Sequence, residues 1–174
     1  MAGIVLTGAP GGGKTTLLLA LQQLGFEISH EVAREILKRP GGMELRDTDP
    51  LSFANAMFAA HLSEFKKHSI THRPVVFDRG LPDVVGFLDL AGLPTPDALD
   101  AACRNFRYIG PIFRAPPWQE IYVRDHERIQ TWTEAVENER AVTEAWHRYG
   151  YETVDLPLCP PNARAQFVAA TVLK

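Results

Sequence analysis

Short apolar runs alternate along this chain with segments whose apolar residues recur at helical spacing. The apolar runs predict five strands, at residues 2–6, 26–29, 74–77, 108–113 and 151–155. The segments between and after them predict helices over residues 14–24, 31–39, 50–67, 82–90, 95–106, 131–149 and 162–173. Strands separated by helices usually form a parallel sheet covered on both faces, so we expect an α/β fold with three layers.

Several helix ends carry their own local signals. Asp49 followed by Pro50 is typical of a helix start, and Thr131 with Glu134 has the spacing of a capping box. Gly25 stands where a helix-terminating glycine belongs. Residues 115–131 show no clear period and contain proline and arginine, so we predict a mobile lid over the active site there.

The composition is that of one ordinary globular domain, and we expect residues 1–174 to form it. Hydrophobic residues make up 45% and charged residues 22% of the chain, which excludes disordered and coiled-coil classes. The net charge of −3 argues against nucleic acid or an anionic membrane as a partner. Two distant cysteines and no signal or membrane segment make the cytoplasm the expected location.

The most informative motif lies between the first predicted strand and the first predicted helix. Residues 8–15 read G-A-P-G-G-G-K-T, a complete G-x4-G-K-[ST] phosphate-binding loop, or P-loop. Glycines let backbone N–H groups converge on phosphate oxygens, and the following helix N-terminus favours the anion. Lys14 is expected to reach the β- and γ-phosphates and Thr15 to bind Mg²⁺. The predicted nucleotide-binding residues are Gly8, Ala9, Pro10, Gly11, Gly12, Gly13, Lys14, Thr15 and Thr16.

Other signatures narrow the class of P-loop protein. The guanine-reading N-K-x-D is absent, which favours ATP over GTP, and no L-S-G-G-Q segment of transporter ATPases is present. Asp83-Val-Val-Gly86 matches the D-x-x-G of signalling GTPases, but it falls inside a predicted helix and is interpreted as coincidence. The small kinase-like branch of P-loop proteins remains.

Two further motifs carry a resemblance to known families. Glu31-x-x-Arg34 follows the second predicted strand, and Asp78-Arg79-Gly80 follows the third. The latter is similar to the D-R-[SGY] motif of thymidylate and deoxynucleoside kinases, many of which have Ser where Gly80 stands. The stretch E-V-A-R-E that begins at Glu31 is similar to a motif of the ribosylnicotinamide kinase domain.

The whole chain most resembles a family of compact ATPases described as AAA-like. The family pattern G-A-P-x-x-G-K-[ST]-T, F-D-R-G-x-P-D and D-x-x-R is found at residues 8–16, 77–83 and 125–128. This resemblance to kinase-related P-loop proteins implies a five-stranded parallel sheet in the order 2-3-1-4-5, with ATP and Mg²⁺ as cofactors.

Four residues outside the P-loop are candidates for the chemistry. Asp78 ends a strand at the sheet edge where ligands bind, so it would hold Mg²⁺ or accept the acceptor's proton; otherwise it caps the next helix. The resemblance to nucleoside kinases makes Glu31 the second candidate base. Arg34 and Arg79 are predicted to bind the acceptor.

In the predicted lid, Arg124 and Arg128 are expected to stabilise the charge that develops during phosphoryl transfer. The expected catalytic residues are therefore Lys14, Asp78, Glu31, Arg124 and Arg128, with Thr15 and Asp78 as metal ligands. Phe53, Met57, Phe58 and Phe65 of the long helix are expected to pack in the core rather than to line an acceptor pocket.

These residues predict a Mg²⁺-dependent phosphotransferase that moves the γ-phosphate of ATP to an unidentified small acceptor. Two alternatives stay open on the sequence alone. One is an NTPase switch that signals to a protein partner, and the other is a nucleotide sensor without catalysis.

Overall fold

The structure is a computed structural model that describes residues 3–29, 31–69, 74–122 and 131–172. Its five strands are β1 (Ile4–Gly8), β2 (Glu27–Ser29), β3 (Val75–Asp78), β4 (Ile112–Ala115) and β5 (Thr153–Asp155). All pairings are parallel, in the order β2-β3-β1-β4-β5. The predicted fold class and strand order are confirmed.

Eight helices accompany the sheet in the described part of the chain. They are α1 (Lys14–Gln23), α2 (Val32–Leu37), α3 (Gly42–Thr48), α4 (Pro50–His68), α5 (Leu81–Leu90), α6 (Asp97–Asn105), α7 (Trp132–Arg148) and α8 (Pro161–Val172). None of these helices combines the length and apolarity needed to cross a bilayer.

The two faces of the sheet bury separate apolar clusters. Side chains alternate along β1, so Ile4 and Leu6 contribute to one cluster and Val5 to the other. The first cluster includes residues of α1 and α8, and the second includes residues of α2, α4, α5, α6 and α7. This arrangement gives the three layers that the sequence predicted.

The start signals of two helices act as predicted. The Asp49 side chain accepts a hydrogen bond from the backbone N–H of Ser52 (3.0 Å) at the start of α4. At the start of α7, Thr131 and Glu134 form the reciprocal capping box. Each bond satisfies backbone donors that the first helical turn leaves unpaired.

Two sequence-based boundaries were wrong. The fourth strand was placed at 108–113, but β4 runs from Ile112 to Ala115, because the Tyr108 backbone N–H bonds to the Tyr151 hydroxyl (3.0 Å) instead of to a neighbouring strand. The helix α3 was missed, since Pro40-Gly41-Gly42 was taken only as a break. Gly41 adopts a positive φ of 75° and redirects the chain into a new helix.

Candidate active site

The P-loop connects β1 to α1 through backbone conformations that require glycine. Gly8 has a φ of 104°, and a Cβ there would lie 2.4 Å from the Ala115 carbonyl oxygen of β4. Gly13, with a φ of 77°, is the N-cap of α1 and supplies no side-chain cap. The N–H groups of the first turn are therefore left for an external anion, as a phosphate-binding loop needs.

Lys14 lies inside this loop. Its Nζ donates hydrogen bonds to the Ala9 carbonyl (2.7 Å) and to the Gly8 carbonyl (3.3 Å), and the side chain is buried. Burial and the nearby Arg79 guanidinium lower the pKa of Lys14 to about 8, against the opposing effect of Asp78. A phosphate placed on the loop would restore the ammonium group's preference for its charged form.

Asp78 ends β3 beside the P-loop and is 5% exposed. Burial, together with the Glu31 carboxylate, raises its pKa to about 7. Asp78 does not cap α5, because Asp83 accepts the hydrogen bond from the Gly80 backbone N–H there (3.0 Å). The helix-capping interpretation of Asp78 is therefore wrong.

The surroundings of Asp78 suit a hard cation. Its Oδ1 is buried and has no hydrogen-bond partner among the described residues. Asp78 lines a small recess together with Thr15 and Glu31. Oxygen ligands of this kind, a carboxylate and a hydroxyl, are those that Mg²⁺ prefers, so the residues present fit this ion.

Arg79 joins two carboxylates in the same region. Its Nε donates to Glu31 (3.1 Å) and its Nη1 donates to Asp83 (3.0 Å). Arg79 is the only residue other than glycine with a positive φ (71°) in the described part of the chain. Such backbone conformations persist where surrounding contacts fix them, often at functional sites.

Glu31 is the N-cap residue of α2 and also lies 3.5 Å from Arg34. Burial alone would raise the pKa of Glu31, but the charges of Arg79, Lys14 and Arg34 outweigh it and hold this pKa below its ordinary value. Glu31 is therefore an ionised carboxylate at neutral pH. The structure brings together Glu31, Arg34, Arg79 and Asp78, as the sequence analysis expected of a single site.

A buried network behind Arg79 escaped the sequence analysis. The Thr7 hydroxyl donates to Asp83 (2.7 Å), and the Trp146 indole N–H donates to the other Asp83 oxygen (3.0 Å). Asp83 was considered only as part of a coincidental GTPase motif. Its position three residues after Gly80, at the start of a helix, was the signal that could have identified it as a capping carboxylate.

Trp146 also explains why glycine occupies position 80. A Cβ on Gly80 would lie 2.9 Å from two carbons of the Trp146 ring and 3.0 Å from Tyr108. The backbone at Gly80 is extended (φ −149°), so the constraint is one of space alone. The serine that many nucleoside kinases have at this position would collide with the indole.

One cavity of about 930 Å³ joins the P-loop to a compartment between helices. Its phosphate-loop end is lined by Gly11, Gly13, Lys14, Thr15, Trp118 and Arg164. Its helical end is lined by Phe53, Met57, His61, Val84 and Phe87. Glu31, Arg34 and Arg79 also line this cavity, whereas Asp78 lies in the recess beside it.

The helical end was not predicted as a pocket. Phe53 and Met57 of α4 were expected to pack in the core; both are buried in the larger apolar cluster and also line the cavity. His61, one turn further along α4, is 4% exposed. Burial lowers its pKa to about 4, so the imidazole is neutral at physiological pH.

The predicted lid is only partly described. Ala115 belongs to β4, and residues Gln119–Ile121 form a short 3-10 turn. Trp118 lines the cavity. Arg124 and Arg128 lie outside the described residues, so the roles assigned to them stay predictions.

The sheet order and the P-loop at the end of β1 define a P-loop fold of the kinase type. The sequence profile of the AAA domain family matches residues 3–164, and the chain belongs to this family. A search of curated protein sequences finds no significant match.

Solved structures of kinases share the fold. Deoxyadenosine kinase from M. mycoides superposes with a TM-score of 0.67 at 14% identity, covering 96% of each chain. Shikimate kinase from Acinetobacter baumannii superposes with a TM-score of 0.60 at 15% identity, covering 99% of this chain and 93% of that one. Shikimate kinase from Aquifex aeolicus gives 0.55 at 15% identity, with 98% and 95% covered. At these identities the likeness establishes the fold.

Proposed function

We propose that the protein is a Mg²⁺-dependent phosphotransferase that moves the γ-phosphate of ATP to a hydroxyl group of a nucleoside. The observation that carries this proposal is the single cavity that runs from the P-loop to the helical end. Its volume of about 930 Å³ lies near the top of the ~300–1,000 Å³ range of small-molecule sites. A nucleotide hydrolase needs only the first end of such a cavity, whereas a kinase needs both.

At the phosphate-loop end, the loop amides and Lys14 would bind the β- and γ-phosphates. The Thr15 hydroxyl and the Asp78 carboxylate would hold Mg²⁺, which neutralises charge on the transferring phosphoryl group. The buried Oδ1 of Asp78, which has no partner in the described part, supports this assignment. ATP is preferred over GTP because the guanine-reading motif is absent from the sequence.

Glu31 would orient the acceptor hydroxyl and take its proton. Phosphoryl transfer proceeds through a loose transition state in most cases, so positioning matters more than a strong base. The low pKa of Glu31 therefore does not count against this role, and Arg79 and Arg34 fix the carboxylate in place.

The walls of the helical end favour an acceptor with a planar ring. Phe53 and Phe87 face each other with ring centroids 5.4 Å apart, and Met57 and Val84 add further apolar surface. Aromatic walls suit the flat base of a nucleoside better than the polar ring of an acid such as shikimate. Deoxyadenosine kinase, solved with dCMP and dCDP, has the same fold and a nucleoside substrate.

Transfer of labelled phosphate tests the proposal. The protein is incubated with Mg²⁺, ATP labelled in the γ-phosphate, and separate ribonucleosides, deoxynucleosides or shikimate, and products are separated by chromatography. We expect label in a nucleoside monophosphate and none with the Lys14→Ala variant. Label found only in inorganic phosphate would favour the NTPase switch. Equal binding of ATP and ADP without any turnover would favour the sensor.

A further inference from the structure

Arg164 is a buried arginine that the proposed mechanism does not yet use. It lies in the first turns of α8, is 1% exposed, and lines the cavity at its phosphate-loop end. Its Nη1 donates a hydrogen bond to the Gly12 carbonyl oxygen (2.7 Å). The same nitrogen lies 2.9 Å from the position that a Cβ on Gly13 would take, so the guanidinium rests directly on the P-loop.

The other edge of this guanidinium has no partner among the described residues. Both Nε and Nη2 are buried without a hydrogen bond. These two nitrogens form the side edge of the guanidinium, whose parallel N–H groups match a pair of anionic oxygens. Buried donors are satisfied in the great majority of cases, so this edge calls for an explanation.

Two other arginines of the chain show what this edge binds. Arg114 uses Nε and Nη2 to contact both carboxylate oxygens of Asp155, each at 2.6 Å. Arg104 uses the same two atoms to contact both oxygens of Asp100, at 2.9 and 3.0 Å. In this protein the edge that Arg164 leaves open is the edge that binds paired oxygens.

The charge of Arg164 points to an anion rather than a neutral group. Burial lowers its pKa, yet an arginine keeps its proton in proteins, so the positive charge remains. Among the described residues no carboxylate opposes this charge, and the Trp118 ring, 5.4 Å away, is its aromatic neighbour. A buried charge without a counter-charge is costly, and a neutral base edge would leave that cost in place.

We infer that Arg164 binds the phosphate chain of the nucleotide, with Nε and Nη2 donating to two of its oxygens. This inference rests on the proposed function in requiring that the P-loop binds a nucleotide. It adds a second cation, from the last helix, to Lys14 of the loop. Because Nη1 is fixed on the Gly12 carbonyl, the edge is positioned before the ligand arrives.

Equilibrium binding of two probes in the presence of Mg²⁺ tests the inference on the full chain. ATP carries a base and a triphosphate, whereas inorganic tripolyphosphate carries no base. The proteins are the wild type, Arg164→Met, Arg164→Lys, and the control Arg104→Met, whose arginine is exposed and lies outside the cavity. Urea unfolding without ligand is measured on each.

We expect Arg164→Met to weaken ATP and tripolyphosphate binding equally, by roughly 10- to 100-fold, as for loss of a charged hydrogen-bond partner. Arg164→Lys keeps the charge without the paired donors and should lose less. Arg104→Met should bind both probes like the wild type. Without ligand, Arg164→Met should be as stable as the wild type or more so, because no buried partner is left unpaired.

Other results would overturn the inference. Weaker ATP binding with unchanged tripolyphosphate binding would place the Arg164 edge on the base or ribose. Unchanged affinity for both probes, with lower stability in urea, would make Arg164 purely structural, and the proposed function would stand. If Arg164→Met does not fold, equal affinities of Arg164→Lys and the wild type decide against the inference. A wild type that binds neither probe would refute the proposed function as well.

Discussion

Two buried arginines line the same cavity, and their surroundings differ. Arg79 donates to the carboxylates of Glu31 and Asp83, while Arg164 donates only to a backbone carbonyl among the described residues. The charge of Arg79 is therefore balanced within the protein, and that of Arg164 is not. A site that is balanced in advance fixes geometry, and one that is unbalanced gains its balance from a ligand.

This difference divides the work of the cavity. Around Arg79, ion pairs and the network of Thr7, Asp83 and Trp146 hold the acceptor-side groups in place without a ligand. Around Arg164 and Lys14, positive charge faces the loop that binds anions. The first region should respond to mutation mainly in stability, and the second mainly in ligand affinity and turnover.

The largest expected effect is on stability, from Arg79→Met. The substitution leaves Glu31 and Asp83 as unpaired buried carboxylates, which costs about 3–5 kcal/mol in other buried ion pairs. We expect a loss of that size in the free energy of unfolding, measured with urea. A loss as small as that of Arg164→Met would remove the difference between the two arginines.

Lys14→Ala should have the next largest effect, on turnover. Removing a charged donor aimed at the transferring phosphoryl group should lower kcat by about 10²–10³-fold. The free energy of unfolding should change little, because Lys14 bonds only to carbonyls that other donors can satisfy. Phosphate transfer at the wild-type rate would show that the chemistry occurs elsewhere.

The third prediction concerns His61, whose pKa is about 4 in the folded protein and about 6.5 when unfolded. Between these values the unfolded chain binds a proton that the folded chain does not, so stability falls as pH falls. The contribution is about 1.4 kcal/mol per pH unit. Unfolding of His61→Gln should depend less steeply on pH across this window, by that amount.

The exposed His147 provides the matched control for this experiment. His147→Gln should leave the pH dependence as in the wild type. Equal pH slopes for His61→Gln and the wild type would mean that the helical end does not keep its imidazole neutral.

The smallest expected effect separates Asp78 from Glu31. If Asp78 holds Mg²⁺, Asp78→Asn should weaken the dependence of turnover on Mg²⁺ by roughly 10- to 100-fold, as for loss of other metal-site groups. Glu31→Gln should leave the Mg²⁺ dependence unchanged and reduce kcat. Titration of activity with Mg²⁺ measures both, and the reverse pattern would exchange the two roles.

Predictability from the sequence followed how local each feature is. The P-loop is one continuous segment with its own motif, so its residues and its place between β1 and α1 were predictable. Glu31 and Asp78 follow neighbouring parallel strands, whose carboxyl ends meet at one edge of the sheet. Their common location could therefore be inferred before their contacts were known.

Contacts between distant segments were not predictable. Arg164 reaches Gly12 across 152 positions, and Trp146 reaches Asp83 across 63. No periodicity or spacing encodes such a pair. The apolar stripe of α4 raises a similar problem, since a phenylalanine that packs in the core and one that lines a cavity give the same pattern.

A crystal structure with Mg²⁺ and a non-hydrolysable ATP analogue would test the central claim most directly. The account predicts the triphosphate on the P-loop amides, with Lys14 and the Nε/Nη2 edge of Arg164 within hydrogen-bond distance of its oxygens. The helical end around Phe53 and His61 should hold no part of the nucleotide. A nucleotide that occupies the helical end, or phosphates bound away from the loop, would contradict the account.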